Sequence, residues 1–181
     1  MYPIAWAVVE IENNSSWTWF LELLKEDLNI ERPEFWTIIS DQQKGLSSVI
    51  EHVLTGIEHI NCARHIHANW SKSHRGLILK KLFWKVAKST SQQELQATIK
   101  EMEKADSQAA IDLQKYPLQL WCKAFFRVGV KCDACDNNLS EAFNSTLLRC
   151  RSKPLIPMLE DIRVGMMKRI AKKKKAVLKW P

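Results

Sequence analysis

Residues 36–46 read WTIISDQQKGL, and the fold turns on them. Thr37, Ile38 and Ile39 form a short β-branched run, which suits a pleated strand. Ser40 and Asp41 close that run just before an amphipathic helical pattern begins. In an open α/β sheet, a carboxylate at the C-terminal end of a strand stands at the rim, where ligands and metals bind. The same letters also spell a helix start. Ser40 with Gln43 three residues on makes a capping box, and Asp41 would then sit in the dipole-favoured first turn. The stretch by itself leaves both readings open, capping being the commoner use of such residues.

On the N-terminal side, residues 2–11 (YPIAWAVVEI) are nearly all apolar and rich in β formers, which predicts a well-buried strand. Asn13-Asn14-Ser15-Ser16 is cap chemistry. Trp17, Phe20, Leu21, Leu24 and Leu28 follow at helical spacing. Pro33 closes the connection to a second strand over 35–39. On the C-terminal side, Val49, Ile50, Val53 and Leu54 mark a helix that stops at Gly56, and 58–62 (EHINC) predicts a third, short strand. Strands alternating with helices predict an α/β class, a sheet flanked by helices. From Arg64 to Tyr116 the pattern turns wholly helical. Leu77, Leu79, Leu82, Phe83, Trp84 and Val86 supply an apolar face, and Lys72, Arg75, Lys80, Lys81, Lys85 and Lys88 surround it. Residues 91–116 read as a more polar helix pair with Leu95, Ile99 and Met102 on one side. Asn138 opens a helix running to about Cys150, and Pro154 starts a last, basic one.

Composition narrows the classes. At 181 residues and 46% hydrophobic, the chain is long and apolar enough to bury a core. No apolar run approaches the roughly 18 residues that span a bilayer, so no membrane role is expected. No charged segment precedes an apolar one at the start, so no signal peptide is expected. The odd count of five Cys fits a reducing compartment better than a disulfide framework, which leaves sequons such as Asn14-Ser15-Ser16 without meaning. Net charge is +7, yet the eight Lys and Arg from 162 onward account for all of it, since the rest of the chain carries −1. That cluster, Arg163, Lys168, Arg169, Lys172, Lys173, Lys174, Lys175 and Lys179, suits a polyanion or a nuclear import receptor. A solvated helix end favoured by the dipole explains it equally well.

Three groups carry chemistry. The first is Asp41. The second is Glu141 in residues 132–145, CDACDNNLSEAFNS, where Asn138-x-x-Glu141 is also a capping pattern. Paired carboxylates at a sheet rim are what two-metal phosphoryl transfer needs, because hard oxygen ligands suit Mg²⁺ or Mn²⁺. The third is sulfur and imidazole. Cys62-x-x-His65 and Cys132-x-x-Cys135 each have zinc-ligand spacing, but 66 residues separate His65 from Cys132, which argues against one zinc site. There is no Gly-rich phosphate loop, Gly-x-Ser-x-Gly elbow or His-Glu-x-x-His. The eight Trp read as packing anchors, and His67 and His74 as surface residues.

Taken together, YPIAWAVVEIEN (2–13), SWTWFLELL (16–24), WTIISDQQKGL (36–46), HINCARHIHANW (59–70), CDACDNNLSEAFNS (132–145) and KPLIPMLEDIRVGMMKRI (153–170) resemble the catalytic domain of plant Mutator-like (MuDR-type) transposases and of host proteins domesticated from them. Blocks in this order and spacing are far more specific than any one block. The resemblance implies an RNase H-like mixed sheet flanked by helices, with an all-α insertion and a DDE triad holding two divalent ions. It implies a partial core over 1–62, a helical insertion over 63–130, and C-terminal core helices with a basic tail over 131–181. Asp41 matches the family's second carboxylate and Glu141 its third, as metal ligands. Cys62 and His65 match its Cys-x-x-His element, with a structural or DNA-positioning role. DNA as partner, a homo-oligomer and a nuclear location follow, with Lys168, Arg169 and Lys172 to Lys175 as nucleic-acid contacts.

The resemblance also implies a departure. In this family the 2–11 block is the third strand, and the first strand carries the first catalytic Asp; neither of the first two strands has a counterpart here. Open strand edges and an inactive fragment are therefore expected. The alternative is a domesticated DNA-binding or scaffold protein without catalysis.

Overall fold

β1 (Thr37–Ser40) runs parallel to β2 (Glu58–Asn61), with Ile38 opposite His59 and Ile39 opposite Ile60. Parallel neighbours need a crossover, and α2 (Leu46–Val53) lies between them in the chain. The strand–helix–strand reading therefore holds in the computed structural model, which describes residues 3–43, 45–130 and 132–178. Lys44 within the opening stretch lies outside the described residues, as do Tyr2, Lys179 and Trp180. β1 is shifted from the expected 35–39 because Pro33–Phe35 closes into a 3-10 turn, which proline's fixed φ favours at its first position.

Ser40 ends β1, and α2 begins only at Leu46, behind Gly45 as its N-cap residue. The capping-box reading of Ser40 and Gln43 is thereby overturned: neither lies at the helix start. Gly45 has φ +86°, and a Cβ there would collide with the Asn14 side chain of α1 (Asn14–Asp27). Only glycine meets both demands. α1 opens with a reciprocal capping box between Asn13 and Ser16. It ends with Asn29 at φ +47° and Ile30 N–H donating to the Lys25 carbonyl, a left-handed C-terminal cap. Lys25 then donates to the Val53 carbonyl at 2.9 Å, tying α1 to the end of α2. Between the helices lies a small core of Leu21, Leu46, Val49, Ile50, Val53 and Leu54, with Ile38 of β1 against it.

Over the described residues 3–11 of the expected 2–11 strand, no strand forms. Among the described residues the sheet has two strands, both parallel, in place of a mixed sheet, and β1 keeps one edge unpaired. Residues 3–9 adopt no regular structure, and Ile4, Val8 and Ile11 are 71%, 48% and 65% exposed. A strand exists only through a neighbour. β-rich composition without that neighbour leaves an apolar segment in solvent.

The helical stretch forms as read: α3 (Ala63–Trp70), α4 (Leu77–Lys88), α5 (Gln92–Ala105) and α6 (Ser107–Gln114). Ser91 caps α5 by accepting from Glu94 N–H, and Asp106 caps α6 by accepting from Ala109 N–H. α4 turns Leu79, Leu82, Phe83, Val86 and Ala87 inward, and α5 answers with Leu95, Ile99 and Met102. Leu77, placed on the apolar face by sequence, is 67% exposed. Phe83 stacks on Trp121 at 5.1 Å and 9°, and Trp70 Nε1 donates to the Ala109 carbonyl. His74, expected at the surface, is 8% exposed and bonds Asp112 through Nε2 at 2.9 Å. A Lys115 ion pair and this imidazole hold the Asp112 carboxyl down to about 2. His67 is half-buried, 4.9 Å from the Phe83 ring and 5.9 Å from that of Trp84.

The chain divides into two compact units: Ile4–Asn137, which holds everything above, and Asn138–Pro181 together with Met1–Pro3. The second unit contains α7 (Asn138–Leu147) and α8 (Leu155–Val177), a helix of 23 residues. Replacing Phe83 by Ala removes the central ring of the larger core, so unfolding in urea is expected to show a loss of roughly 3–5 kcal/mol. Leu77→Ala, at an exposed site of the same helix, is expected to cost under about 0.5 kcal/mol.

Candidate functional site

Asp41 follows the last residue of β1 directly, at the C-terminal end of the parallel pair. It is half-buried, and among the described residues no hydrogen bond or ion pair engages its carboxylate. The backbone that carries it is fixed from below. Ser40, 7% exposed, donates through Oγ to the Asp41 carbonyl at 2.9 Å. The same Oγ lies 2.8 Å from His59 Nε2, so the imidazole N–H is the donor in that bond. His59 belongs to β2 and stands two register positions from Ser40's own partner, on the same face of the ladder. The relay runs His59 to Ser40 to the Asp41 peptide and leaves the Asp41 side chain available.

At the opposite end of the ladder, Glu58 is 8% exposed and accepts from the Thr37 hydroxyl and from Arg127 N–H, both at 2.6 Å. Arg127 adds a bond to the Gly56 carbonyl at 2.7 Å. A buried carboxylate is tolerated when its oxygens are satisfied in this way. Glu58 is engaged and structural, Asp41 disengaged: one ladder carries a carboxylate of each kind.

Cys62 and His65 meet at the start of α3. Cys62 is fully buried at the N-cap position. Its Sγ accepts from Asn137 N–H at 3.2 Å, and it lies within 4.8 Å of a His65 ring nitrogen. Ala63 N–H donates to the Cys135 carbonyl at 2.9 Å. The two motifs are thus sewn together through backbone groups, Cys62-x-x-His65 against the end of Cys132-x-x-Cys135. Among the described residues, however, Cys132 and Cys135 do not complete a cluster of ligand atoms with Cys62 and His65 within that distance. Cys135 belongs instead to the core that contains Cys122, and burial pushes both thiols up. The zinc reading is not supported by this geometry.

Glu141 lies in the first turn of α7, half-buried, in the smaller unit, whereas Asp41, Cys62 and His65 lie in the larger. Lys168, Lys172, Lys173, Lys174 and Lys175 are exposed along α8 and Arg169 is half-buried. The last four lysines follow one another and point to every side of the helix. Sequence reading missed His59 and Glu58, which looked like ordinary residues of a short strand. Their signal was position: Glu58 stands opposite the polar Thr37, and His59 shares a face with Ser40, once the register is known.

Residues 1–69 match the MULE transposase domain. The matched segment contains Asp41, Cys62 and His65 and stops before Glu141 and the basic helix. The resemblance to Mutator-like transposases is thereby shown over this segment. No curated protein matches the chain.

Burial holds the His59 imidazole below its ordinary range, with the charge of Glu51 pulling weakly the other way. As pH falls, the unfolded chain takes this proton first. The site's contribution is therefore complete above the unfolded pKa of about 6.5 and is lost as pH drops through the folded value. Urea midpoints measured from neutral pH downward should fall in the wild type. They should fall less in His59→Gln, which keeps an N–H near the Nε2 position; equal slopes would contradict the relay.

Proposed function

We propose that this chain is a DNA-directed transposase catalytic region of the two-metal phosphoryl-transfer kind, in which Asp41 and Glu141 each supply a carboxylate to Mg²⁺ or Mn²⁺. The observation that carries the reading is Asp41: a half-buried carboxylate at the C-terminal end of a parallel strand, without a protein partner among the described residues, inside the segment matching the MULE transposase domain. The donor set supports the cofactor. Two carboxylates are hard oxygen ligands suited to Mg²⁺ or Mn²⁺, and the family implies a divalent ion. When bound, such ions activate the attacking oxygen and stabilise the leaving one.

In this reading the chain's own residues have separate tasks. The His59–Ser40 relay holds the Asp41 peptide while its side chain stays free to ligate. Buried Cys62, accepting from Asn137, supports a structural role for the Cys-x-x-His element, with His65 beside it for structure or DNA positioning. The exposed lysines of α8 attract phosphates, and Arg169 joins them. Action on DNA implies the nucleus and, for paired ends, a multimer. No helix among the described residues is long and apolar enough to cross a membrane. With two of the triad's three carboxylates matched, this reading expects these 181 residues by themselves not to cut DNA. The second reading, a domesticated DNA-binding or scaffold protein, draws on the same exposed basic helix and needs no metal.

Two measurements separate the readings. Titration with Mn²⁺ followed by electron paramagnetic resonance is expected to show binding that Asp41→Asn weakens on the order of tenfold or more, since even outer partners of a metal are felt on that scale. Unchanged binding in Asp41→Asn would remove the catalytic reading. Binding to a short duplex should weaken steeply as salt rises. Replacing Lys172, Lys173, Lys174 and Lys175 by Gln should flatten the slope of log K against log salt by about 3 to 4, near 0.9 for each phosphate no longer neutralised. A flat salt response in the wild type would dismiss both DNA readings.

A further inference from the structure

α4 has two faces of opposite chemistry. Inward go Leu79, Leu82, Phe83, Val86 and Ala87. Outward, at positions three to four residues apart, stand Lys80, Lys81, Trp84, Lys85 and Lys88, and the helix contains no acid. All four lysines are exposed. Lys85 bonds Glu101 at 2.6 Å, in a pair more than half exposed at both ends. Among the described residues Lys80 and Lys81 have no carboxylate partner. An exposed ion pair of the Lys85 kind is worth little and exchanges readily.

Trp84 gives this face a flat apolar surface. The ring is half-buried. His67 of α3 stacks against it at 5.9 Å and 28°, and Phe83 meets it edge-on at 5.6 Å. The Lys88 ammonium lies 5.9 Å from the ring centre. The indole is thus braced from behind, with cations on both sides of it along the helix. His67 Nε2 is buried without a hydrogen-bond partner among the described residues, which suits a neutral ring in an aromatic setting. Burial, and then the charge of Lys80, hold that imidazole below its ordinary range.

We infer that the outward face of α4 is a second nucleic-acid interface, built of other residues than the basic end of α8, in which Lys80, Lys81 and Lys88 pair with backbone phosphates and Trp84 packs on the sugars or bases between them. Charge complementarity selects the partner: α4 itself carries no acid, and its four outward lysines outnumber the two carboxylates whose charges reach them, Glu101 at Lys85 and Asp133 at Lys88, which suits a polyanion. The braced aromatic selects nucleic acid among polyanions, because a ring between cations stacks on nucleotides. An acidic polypeptide offers it no flat group. The surface lies outside the segment matching the MULE transposase domain and uses none of Asp41, Glu141 or the α8 lysines. The inference rests on the proposed action on DNA but not on the metal chemistry.

The test uses the full chain and a short random-sequence duplex, with the four α8 lysines at 172–175 already replaced by Gln so that residual binding is read alone. Adding Lys80→Gln, Lys81→Gln and Lys88→Gln is expected to reduce the remaining slope of log K against log salt by about 2 to 3. Lys100→Gln with Lys104→Gln, exposed lysines on α5, should leave it unchanged. Trp84→Leu in the same background should weaken binding to the corresponding single strand, whose bases are free to stack, roughly five- to tenfold, without altering the slope. An α4 triple variant indistinguishable from its parent would overturn the inference, as would equal competition by polyglutamate and duplex at equal charge. Binding of Mn²⁺ by the α4 variant should match that of the wild type. If Mn²⁺ binding is absent throughout while the α4 variant still flattens the slope, the interface stands and the catalytic reading fails.

Discussion

Parallel strands cannot be joined by a tight turn, and the segment between Ser40 and Glu58 therefore has to leave the sheet and return. That demand sets the geometry of the N-terminal region. α2 occupies the crossover, its apolar side meets α1, and Gly45 with positive φ lets α1 and α2 approach at Asn14. The ladder itself is four residues long, too short to stand alone. It persists because Ile60 is buried and Ile38 packs half-buried on the core beside α2, and because the polar groups at its two ends are satisfied: Glu58 by Thr37 and Arg127, Ser40 by His59. The availability of Asp41 is a product of the same arrangement. The strand's end is held by its neighbour, so its carboxylate is not consumed in holding it.

How far the sequence could be read depended on whether a feature was local. Helical periodicity is local, and α1, α3, α4, α5 and α6 form where apolar spacing and caps place them, with Ser91 and Asp106 acting as the caps their side chains suggest. The β-branched run at 37–39 is also local and forms a strand. What failed needed a partner that nothing local revealed. Residues 2–11 have strand composition but no strand to pair with among those described. Ser40 and Gln43 have cap spacing, yet the chain uses Ser40 on the ladder and delays the helix to Leu46. His74 looked like a surface residue because nothing local revealed Asp112, 38 positions away.

The candidate site divides in the same way. Asp41 was legible because a carboxylate after a strand is a short-range signal, whereas the roles of His59 and Glu58 depend on register and were not. Cys62 shows the limit of motif spacing. Two metal-like pairs do come together, although 66 residues separate them, and what joins them is the Ala63 and Asn137 backbone N–H groups, which donate to the Cys135 carbonyl and the buried Cys62 thiol. The basic surfaces are simpler. Lysine at helical intervals without interleaved acid already describes both α4 and the end of α8, and folding adds only which side chains face solvent and what stands between them.

The clamp on Glu58 has a temporal side. Its bond to Thr37 closes 21 positions, its bond to Arg127 closes 69. Loop-closure entropy and directional synthesis both favour the shorter closure first. On a ribosome, β1, α2 and β2 emerge while Arg127 is still unmade, so the young ladder carries a carboxylate satisfied on one side only. Its first edge is sealed only after the four helices α3 to α6 have been translated. The helical region is thus a delay line: the sheet that positions Asp41 is completed only after the four helices that follow it have been made.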